Sequence, residues 1–267
     1  MDAAMKSIRG KVRERDEDTI CVILSAMENE IERKEQFFAA LADGMGGTAR
    51  GDVASRLAIS EARHIGSSMM NRDLTSADIV NSINRIYENA NNSLLTYVSR
   101  NNMQKIGTTL VVAYFDGTDL YVGNVGDSRL YIFNDGKRSF RTADHSYVEM
   151  LVDQGILTEE ESKYHRRKNE LMRAIGFEED PLPDIYRLRT FRGDSILLCC
   201  DGLWEAFDDT IIAKGLQANM SCHDSLDVLI NRANEVDGTD NISAILLRPY
   251  VETTEESALK KPTKSTI

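Results

Sequence analysis

Acidic residues stand where apolar runs begin and end. The run Gln36–Ala42 (QFFAALA) closes on Asp43-Gly44, and SILLCC closes on Asp201-Gly202. Asp240-Asn241 immediately precedes ISAILL, Glu17 and Asp18 immediately precede TICVIL, and Asp127 lies in the turn Gly126-Asp127-Ser128 between two short runs. An aspartate at the end of a buried strand, released by a glycine, brings carboxylate oxygens and a free backbone carbonyl to one point. That is the donor set a hard cation such as magnesium takes. One such Asp-Gly is ordinary turn chemistry. Five strand ends built alike are more, because sheets gather such ends at one edge and clustered carboxylates repel unless cations neutralise them.

The glycines after Asp43 admit a competing reading. Gly44, Gly46 and Ala49 fit the dinucleotide fingerprint G-x-G-x-x-G/A, which holds a pyrophosphate on backbone N–H groups. That fingerprint needs a strand after its helix, with an acid at the strand's end about 20 positions on. Here helix runs into helix, Glu61 falls inside the first of them, and Asp43 would set a carboxylate against the pyrophosphate. A Walker loop fails too, since no Gly-Lys-Ser/Thr follows. The glycines therefore free Asp43 and do not cradle a phosphate.

The elements that must position these acids can be read from periodicity. Thr19–Leu24 and Gln36–Ala42 predict buried strands joined by a charged connection over 28–34. Val53, Leu57 and Ala58 open a helical stripe. A second helix, with Ser76 as its N-cap, carries Ile79, Ile83, Ile86, Ala90, Leu94 and Val98. Strands over Thr108–Phe115, Leu120–Val125 and Leu130–Phe133 are separated by Asp116-Gly117 and Gly126-Asp127-Ser128, and Asn134-Asp135-Gly136 turns the chain again. Such turns are hairpin chemistry and predict an antiparallel meander. Residues 144–176 become polar and helical, and Ser195–Cys200 and Ile242–Leu247 predict two more buried strands. Paired helices with meandering strands define an α+β chain with antiparallel sheets, not alternating βαβ units.

The 267 residues suffice for a substantial core, with 42% hydrophobic and 28% charged residues. A net charge of −11 argues against a non-specific nucleic-acid binder, though it leaves room for a locally positive pocket. The N-terminus lacks a signal-peptide core, and no apolar run approaches the roughly 20 residues of a membrane helix. Cys21, Cys199, Cys200 and Cys222 show no C-x-x-C spacing and read as small buried hydrophobes, pointing to a reducing, cytoplasmic location. After Tyr250 the chain is polar and aperiodic, so residues 1–250 are expected to form one domain and 251–267 a flexible tail. No coiled-coil heptads occur, and a monomer is expected.

Taken in order, VRERDEDT (12–19), LADGMGGTARGDVAS (41–55), IGTTLVVAY (106–114), VGNVGDSRLY (122–131), ADHSYVEMLVDQGILTEEE (143–161), LMRAIG (171–176), GDSILLCCDGLWE (193–205) and DGTDNISAILL (237–247) resemble the metal-dependent serine/threonine protein phosphatases, the PPM or type-2C family. The Met-Gly-Gly after Asp43-Gly44 is similar to the bacterial branch. The resemblance implies a four-layer α-β-β-α sandwich, two antiparallel sheets flanked by helix pairs. It also implies two Mg2+ or Mn2+ ions. Asp43 would bridge them, with Asp201 and Asp240 on one ion and the Gly44 carbonyl with Glu17 and Asp18 on the other, directly or through water. Asp127, with Asp201 and with Glu205 as a further donor, would take a third, weaker ion. Arg13 matches the phosphate-binding arginine, whose planar fork suits phosphate. The implied activity is hydrolysis of phosphoserine and phosphothreonine by a metal-bridging hydroxide, since water between two cations loses its proton far more easily than bulk water. Phosphorylated proteins would be the substrates, and a serine/threonine kinase the opposing partner.

The chain departs from the family pattern at Asp16, where Asn is usual, and at Met45, where eukaryotic relatives place a histidine. No general acid is assigned; His145 fits a structural role in the turn ADHS equally well. Residues 144–176 match the flap of bacterial relatives. Its basic stretch Tyr164-His165-Arg166-Arg167-Lys168 is either a solvated face or a dock for acidic phosphopeptides. A catalytically silent binding module and a small-molecule phosphomonoesterase stand as alternative functions, although the silent module would be expected to have lost metal ligands.

Overall fold

Runs that are apolar at every position need cover on both faces of their strand. The computed structural model describes residues 1–28, 33–45, 50–103, 105–177, 180–216, 219–249 and 265–266, and supplies that cover. The strands are β1 (Asp2–Ile8), β2 (Asp18–Glu28), β3 (Arg33–Met45), β4 (Gly107–Thr108), β5 (Leu110–Phe115), β6 (Asp119–Val125), β7 (Arg129–Asn134), β8 (Lys137–Arg141), β9 (Asp184–Arg189), β10 (Ser195–Cys199), β11 (Ile242–Arg248) and β12 (Ser265–Thr266). The helices are α1 (Gly51–Met69), α2 (Ser76–Arg100), α3 (Tyr147–Asp153), α4 (Glu159–Ser162), α5 (Asp201–Trp204), α6 (Asp209–Gly215) and α7 (Cys222–Val236). One sheet has the order β1-β11-β10-β7-β8; the other runs β12-β9-β6-β5-β3-β2, with β4 paired to β3. Every pairing is antiparallel.

The alternation of side chains along each strand sorts the core into three slabs. Phe37, Ala39 and Leu41 of β3 and Val111, Ala113 and Phe115 of β5 face Leu130, Ile132, Ile196, Leu198, Ile245 and Leu247 of the opposite sheet. Their neighbours Phe38, Ala40, Ala42, Val112 and Tyr114 face outward onto α1 and α2, meeting Ala58, Ala62, Ile79, Ile83 and Ile86. On the far side Tyr131, Leu197, Cys199, Ala244 and Leu246 pack against Ile212, Leu226, Leu229 and Ile230 of α6 and α7. This is the expected four-layer α-β-β-α sandwich of antiparallel sheets with helix pairs outside.

Several expectations shift in detail. α2 is capped by Thr75, not Ser76: the Thr75 hydroxyl accepts the Asp78 N–H while the Asp78 carboxylate accepts the Thr75 N–H, a capping box. The hairpin at Asn134-Asp135-Gly136 forms as expected, with φ of 49° at Asp135 and 71° at Gly136, the left-handed pair that a two-residue turn requires. Strands β2 and β3 extend into the 28–34 connection, of which 29–32 lie outside the described residues. β1, β9 and α7 were not predicted from periodicity. Helix in 144–176 is confined to α3 and α4, the remainder being turns and single bridges at Ser146–Leu171 and Thr108–Ile175. The expected tail lies outside the described residues except Ser265–Thr266, which pair with Arg187 and Tyr186 of β9. Among the described residues no helix is long and apolar enough to cross a membrane.

The contact between α1 and β3 is close enough to test. A Cβ on Gly66 would stand 2.5 Å from the ring of the wholly buried Phe38. Gly66→Ala gains up to about 1 kcal/mol of helix propensity but overpacks this seam at a cost of about 1–3 kcal/mol. Urea denaturation should show net destabilisation, whereas Ala at the exposed neighbour Ser67 leaves the midpoint unchanged or slightly raised.

Candidate metal centre

The edge where β2 begins and β3 ends holds the first acids. Asp18 and Asp43 are register partners across the β2–β3 ladder. The Asp43 backbone is fixed from both sides. Its N–H donates to Thr109 Oγ1 at 2.9 Å, and its carbonyl accepts the Thr109 N–H at 2.9 Å and the Thr108 hydroxyl at 2.8 Å. The Gly44 N–H donates to the Glu17 carbonyl at 3.1 Å. Gly44 and Gly51 pack backbone to backbone: a Cβ on Gly51 would stand 2.4 Å from the Gly44 carbonyl oxygen and 3.0 Å from the Glu17 carboxyl carbon. Both residues must be glycine for the Gly44 carbonyl and Glu17 to meet at the start of α1. Gly46 and Ala49 of the rejected fingerprint lie outside the described residues.

The opposite sheet supplies the rest. Asp201 opens α5 directly after β10, and Asp240 stands before β11 with its Oδ1 accepting the Asn241 N–H at 2.7 Å. Asn241, noticed in the sequence only as a neighbour, ties the two sheet ends together. Its Oδ1 accepts the Glu17 N–H, and its Nδ2 donates to the carbonyls of Arg9 and Arg15, each at 2.9 Å. Asp127 occupies the β6–β7 turn, where the Trp204 indole N–H donates to its carbonyl at 3.0 Å. The Arg129 guanidinium lies 3.5 Å over the Trp204 ring and forks onto Asp144 at 2.6 and 2.8 Å.

The carboxylates raise one another's pKa. Burial pushes Asp18 up to about 7 and Asp201 up to about 6, with Asp16 and Asp201 adding to the first and Asp240 and Glu205 to the second. Burial, then Asp18, Asp201, Asp127 and Asp240, hold Asp43 well above the ordinary 3.8; burial and Asp201 do the same for Asp127. Both Asp18 carboxylate oxygens and Asp201 Oδ1 are buried without a hydrogen-bond partner. A carboxylate oxygen from each of Asp18 and Asp43 and the Cys200 sulfur lie within 4.8 Å of one another. Uncompensated, convergent oxygen donors fit divalent cations and fit little else.

Other expected residues have different surroundings. Arg13 is exposed, and its Nη2 donates to Asp240 Oδ2 at 2.6 Å. Asp16 is a local brace: its Oδ1 accepts the Asp18 N–H at 3.1 Å and its Oδ2 accepts the Ser7 hydroxyl, work for which an acceptor oxygen suffices. His145 is buried; its Nδ1 accepts the Gly126 N–H at 3.2 Å and its Nε2 lies 3.4 Å from Asp184. Hydrogen bonding to His145 lowers Asp184 to about 2. His145 is therefore a structural histidine. In the basic stretch, Arg167 pairs with Glu170 and lies over Tyr147, while Lys168 reaches Glu205 at 2.8 Å. Most of that charge is neutralised within the chain, as a solvated face requires, and Glu205 is engaged by Lys168. A groove of about 460 Å³ between α1 and α2 shares no residue with the carboxylate cluster.

Two facing sheets whose ends gather buried acids define a metallohydrolase-like centre, and comparison with known proteins gives it a family. The Protein phosphatase 2C family model matches residues 26–246, and the chain belongs to that family. The chain is similar to the serine/threonine phosphatase stp of Listeria welshimeri, 33% identical over 251 residues, covering 92% of this chain and 95% of that protein. It is also similar to the crystal structure of the Mycobacterium tuberculosis serine/threonine phosphatase PstP/Ppp, with TM-score 0.78 and 31% identity over 91% of this chain and 96% of that one. A structure of the PstP catalytic domain in complex with 2 manganese ions matches with TM-score 0.74 and 31% identity, over 91% and 96% of the two chains.

The raised acids make stability depend on metal and pH together. A folded-state pKa above the unfolded 3.8 means that these groups contribute stability fully below about pH 4 and lose it as pH rises through 6 to 7. In chelator, the thermal midpoint should fall over that window more steeply for wild type than for Asp18→Asn. Added Mn2+ should reverse the fall in wild type.

Proposed function

We propose that this chain hydrolyses phosphoserine and phosphothreonine in phosphorylated proteins, as a protein phosphatase with Mg2+ or Mn2+ as cofactor. The observation that carries this reading is the convergence of Asp18, Asp43, Asp127 and Asp201, buried and raising one another's pKa, at the ends of strands from both sheets, with the Arg13-paired Asp240 at the rim. In this reading Asp43 would serve two cations, with Asp201 and Asp240 holding one and the Gly44 carbonyl, Glu17 and Asp18 the other, directly or through water. Asp127 with Asp201 would hold a third. When bound, paired divalent cations lower the pKa of a water between them, so that hydroxide is available at neutral pH, and neutralise charge on the phosphoryl group.

The chain's own residues do the positioning. Thr108 and Thr109 lock the Asp43 backbone, and Asn241 holds the Glu17 peptide against the β11 entry. Arg13, half-exposed at the rim beside Asp240, is free to swing its fork from that carboxylate to a substrate phosphate. Its resting partner keeps it charged and aimed. With Met45 after Gly44 and His145 buried before α3 and holding the β6–β7 turn through the Gly126 N–H, no side chain is assigned as general acid. The intact Asp43, Asp201 and Asp240 favour catalysis over a silent binding module. A serine/threonine kinase acting on the same proteins is the opposing activity.

Phosphate release from a phosphothreonine peptide with Mn2+ tests the reading. Asp201→Asn should lower kcat by at least about 100-fold, the scale of losing a main electrostatic contribution to the transition state. Arg13→Ala should raise KM more than it lowers kcat. Absence of metal-dependent release, or release untouched by Asp201→Asn, overturns the enzymatic reading. A kcat/KM for small phosphate esters above that for the peptide would move the function to small molecules.

A further inference from the structure

Strand alternation sends the adjacent cysteines of SILLCC to opposite sides of their sheet. Cys199 points outward into the slab under α6 and α7, whereas Cys200 points inward with the inter-sheet core. Cys200 Sγ accepts the Ser243 N–H at 3.1 Å and lies 3.5 Å from the Asn241 carbonyl. Its open side faces the acids: the sulfur and one carboxylate oxygen each of Asp18 and Asp43 lie within 4.8 Å of one another. Donors around a common cation at about 2.0–2.3 Å stand no farther apart than this. Asp18 supplies an independent sign of a missing ligand, since both its oxygens are buried and without a hydrogen-bond partner.

Magnesium and manganese take oxygen and ignore a thiol; zinc and cadmium prefer sulfur. We infer that Cys200, Asp18 and Asp43 form a capture site for soft divalent cations, superimposed on the hard-cation centre. Binding displaces the thiol proton, and any proton shared by the two carboxyls, to solvent and forms a metal–thiolate bond, with no change in oxidation state. Because Asp18 and Asp43 then serve the soft ion, zinc or cadmium binding removes these acids from the Mg2+/Mn2+ pair, and the protein is inhibited by soft metals at its own centre. The inference shares these two acids with the reading above, but its test needs no turnover.

Cd2+ alone is titrated into the metal-free full-length chain while the ultraviolet sulfur-to-cadmium charge-transfer band is followed. A saturable band at one Cd2+ per chain is expected. It should vanish in Cys200→Ser, with folding checked by circular dichroism, and persist in Cys199→Ser and Cys222→Ser. Asp18→Asn should weaken cadmium binding by at least about 10-fold, since loss of even a ligand's outer hydrogen-bond partner costs about that much. Excess Mn2+ should compete, and this measurement in wild type decides the matter if Cys200→Ser does not fold. No band, a band surviving Cys200→Ser, or a band indifferent to Mn2+ overturns the inference. A protein that shows the band yet releases no phosphate overturns the phosphatase reading alone.

Discussion

Mutual repulsion among buried carboxylates is the constraint around which this molecule is built. Asp18, Asp43, Asp127 and Asp201 each lose hydration and each feel at least one of the others, so all sit above the ordinary aspartate range. The cations nearby offset little of that charge: Arg13 stands at the rim on Asp240, and Arg129, which eases Asp127, is committed to Asp144. A fold that collects acids this way is stable only with protons or cations in their midst. The cost falls on folding in the absence of metal, and the benefit is a site with fixed donors before any substrate arrives.

The sandwich supplies the rigidity that this arrangement demands. Both sheets are sealed on their outer faces by helices and to one another by the inter-sheet slab, so the strand ends cannot splay to relieve repulsion. Backbone groups are tied down where acids emerge. Thr108 and Thr109 hold Asp43, and Asn241 spans three separate segments with one amide. These neutral residues do as much as the acids to define the centre, because each carboxylate's direction is inherited from a pinned peptide.

The acids themselves were legible because a repeated local pattern, apolar run beside Asp, records where strands end. The sheets were legible for the same reason, through full apolar runs and Asp-Gly turns. What escaped periodicity was held by partners distant in sequence. β1 and β9 lack continuous apolar runs and are strands because β11 and β6 offer them edges. The Thr75 cap was displaced by one residue because Ser76 is as good a capping type, and only the reciprocal Asp78 bond distinguishes them. The role of Asn241 depends on Arg9, Arg15 and Glu17, more than 220 positions away, and no local signal carries that. His145, open to either role by type, is structural by contact, and Asp16, where the family has Asn, is a local brace.

The stack of Asp144, Arg129 and Trp204 has an optical meaning. Trp204 is the single tryptophan of the chain. Its indole N–H is bonded to the Asp127 peptide and its face carries a cation that also anchors the start of the 144–176 segment. An indole's emission responds to charge placed at its ring and at its N–H, and here both come from the acidic corner at Asp127 and the segment beside it. The protein's tryptophan emission, excited apart from that of its nine tyrosines, is therefore a local voltmeter for that corner, reading its charge state without any label.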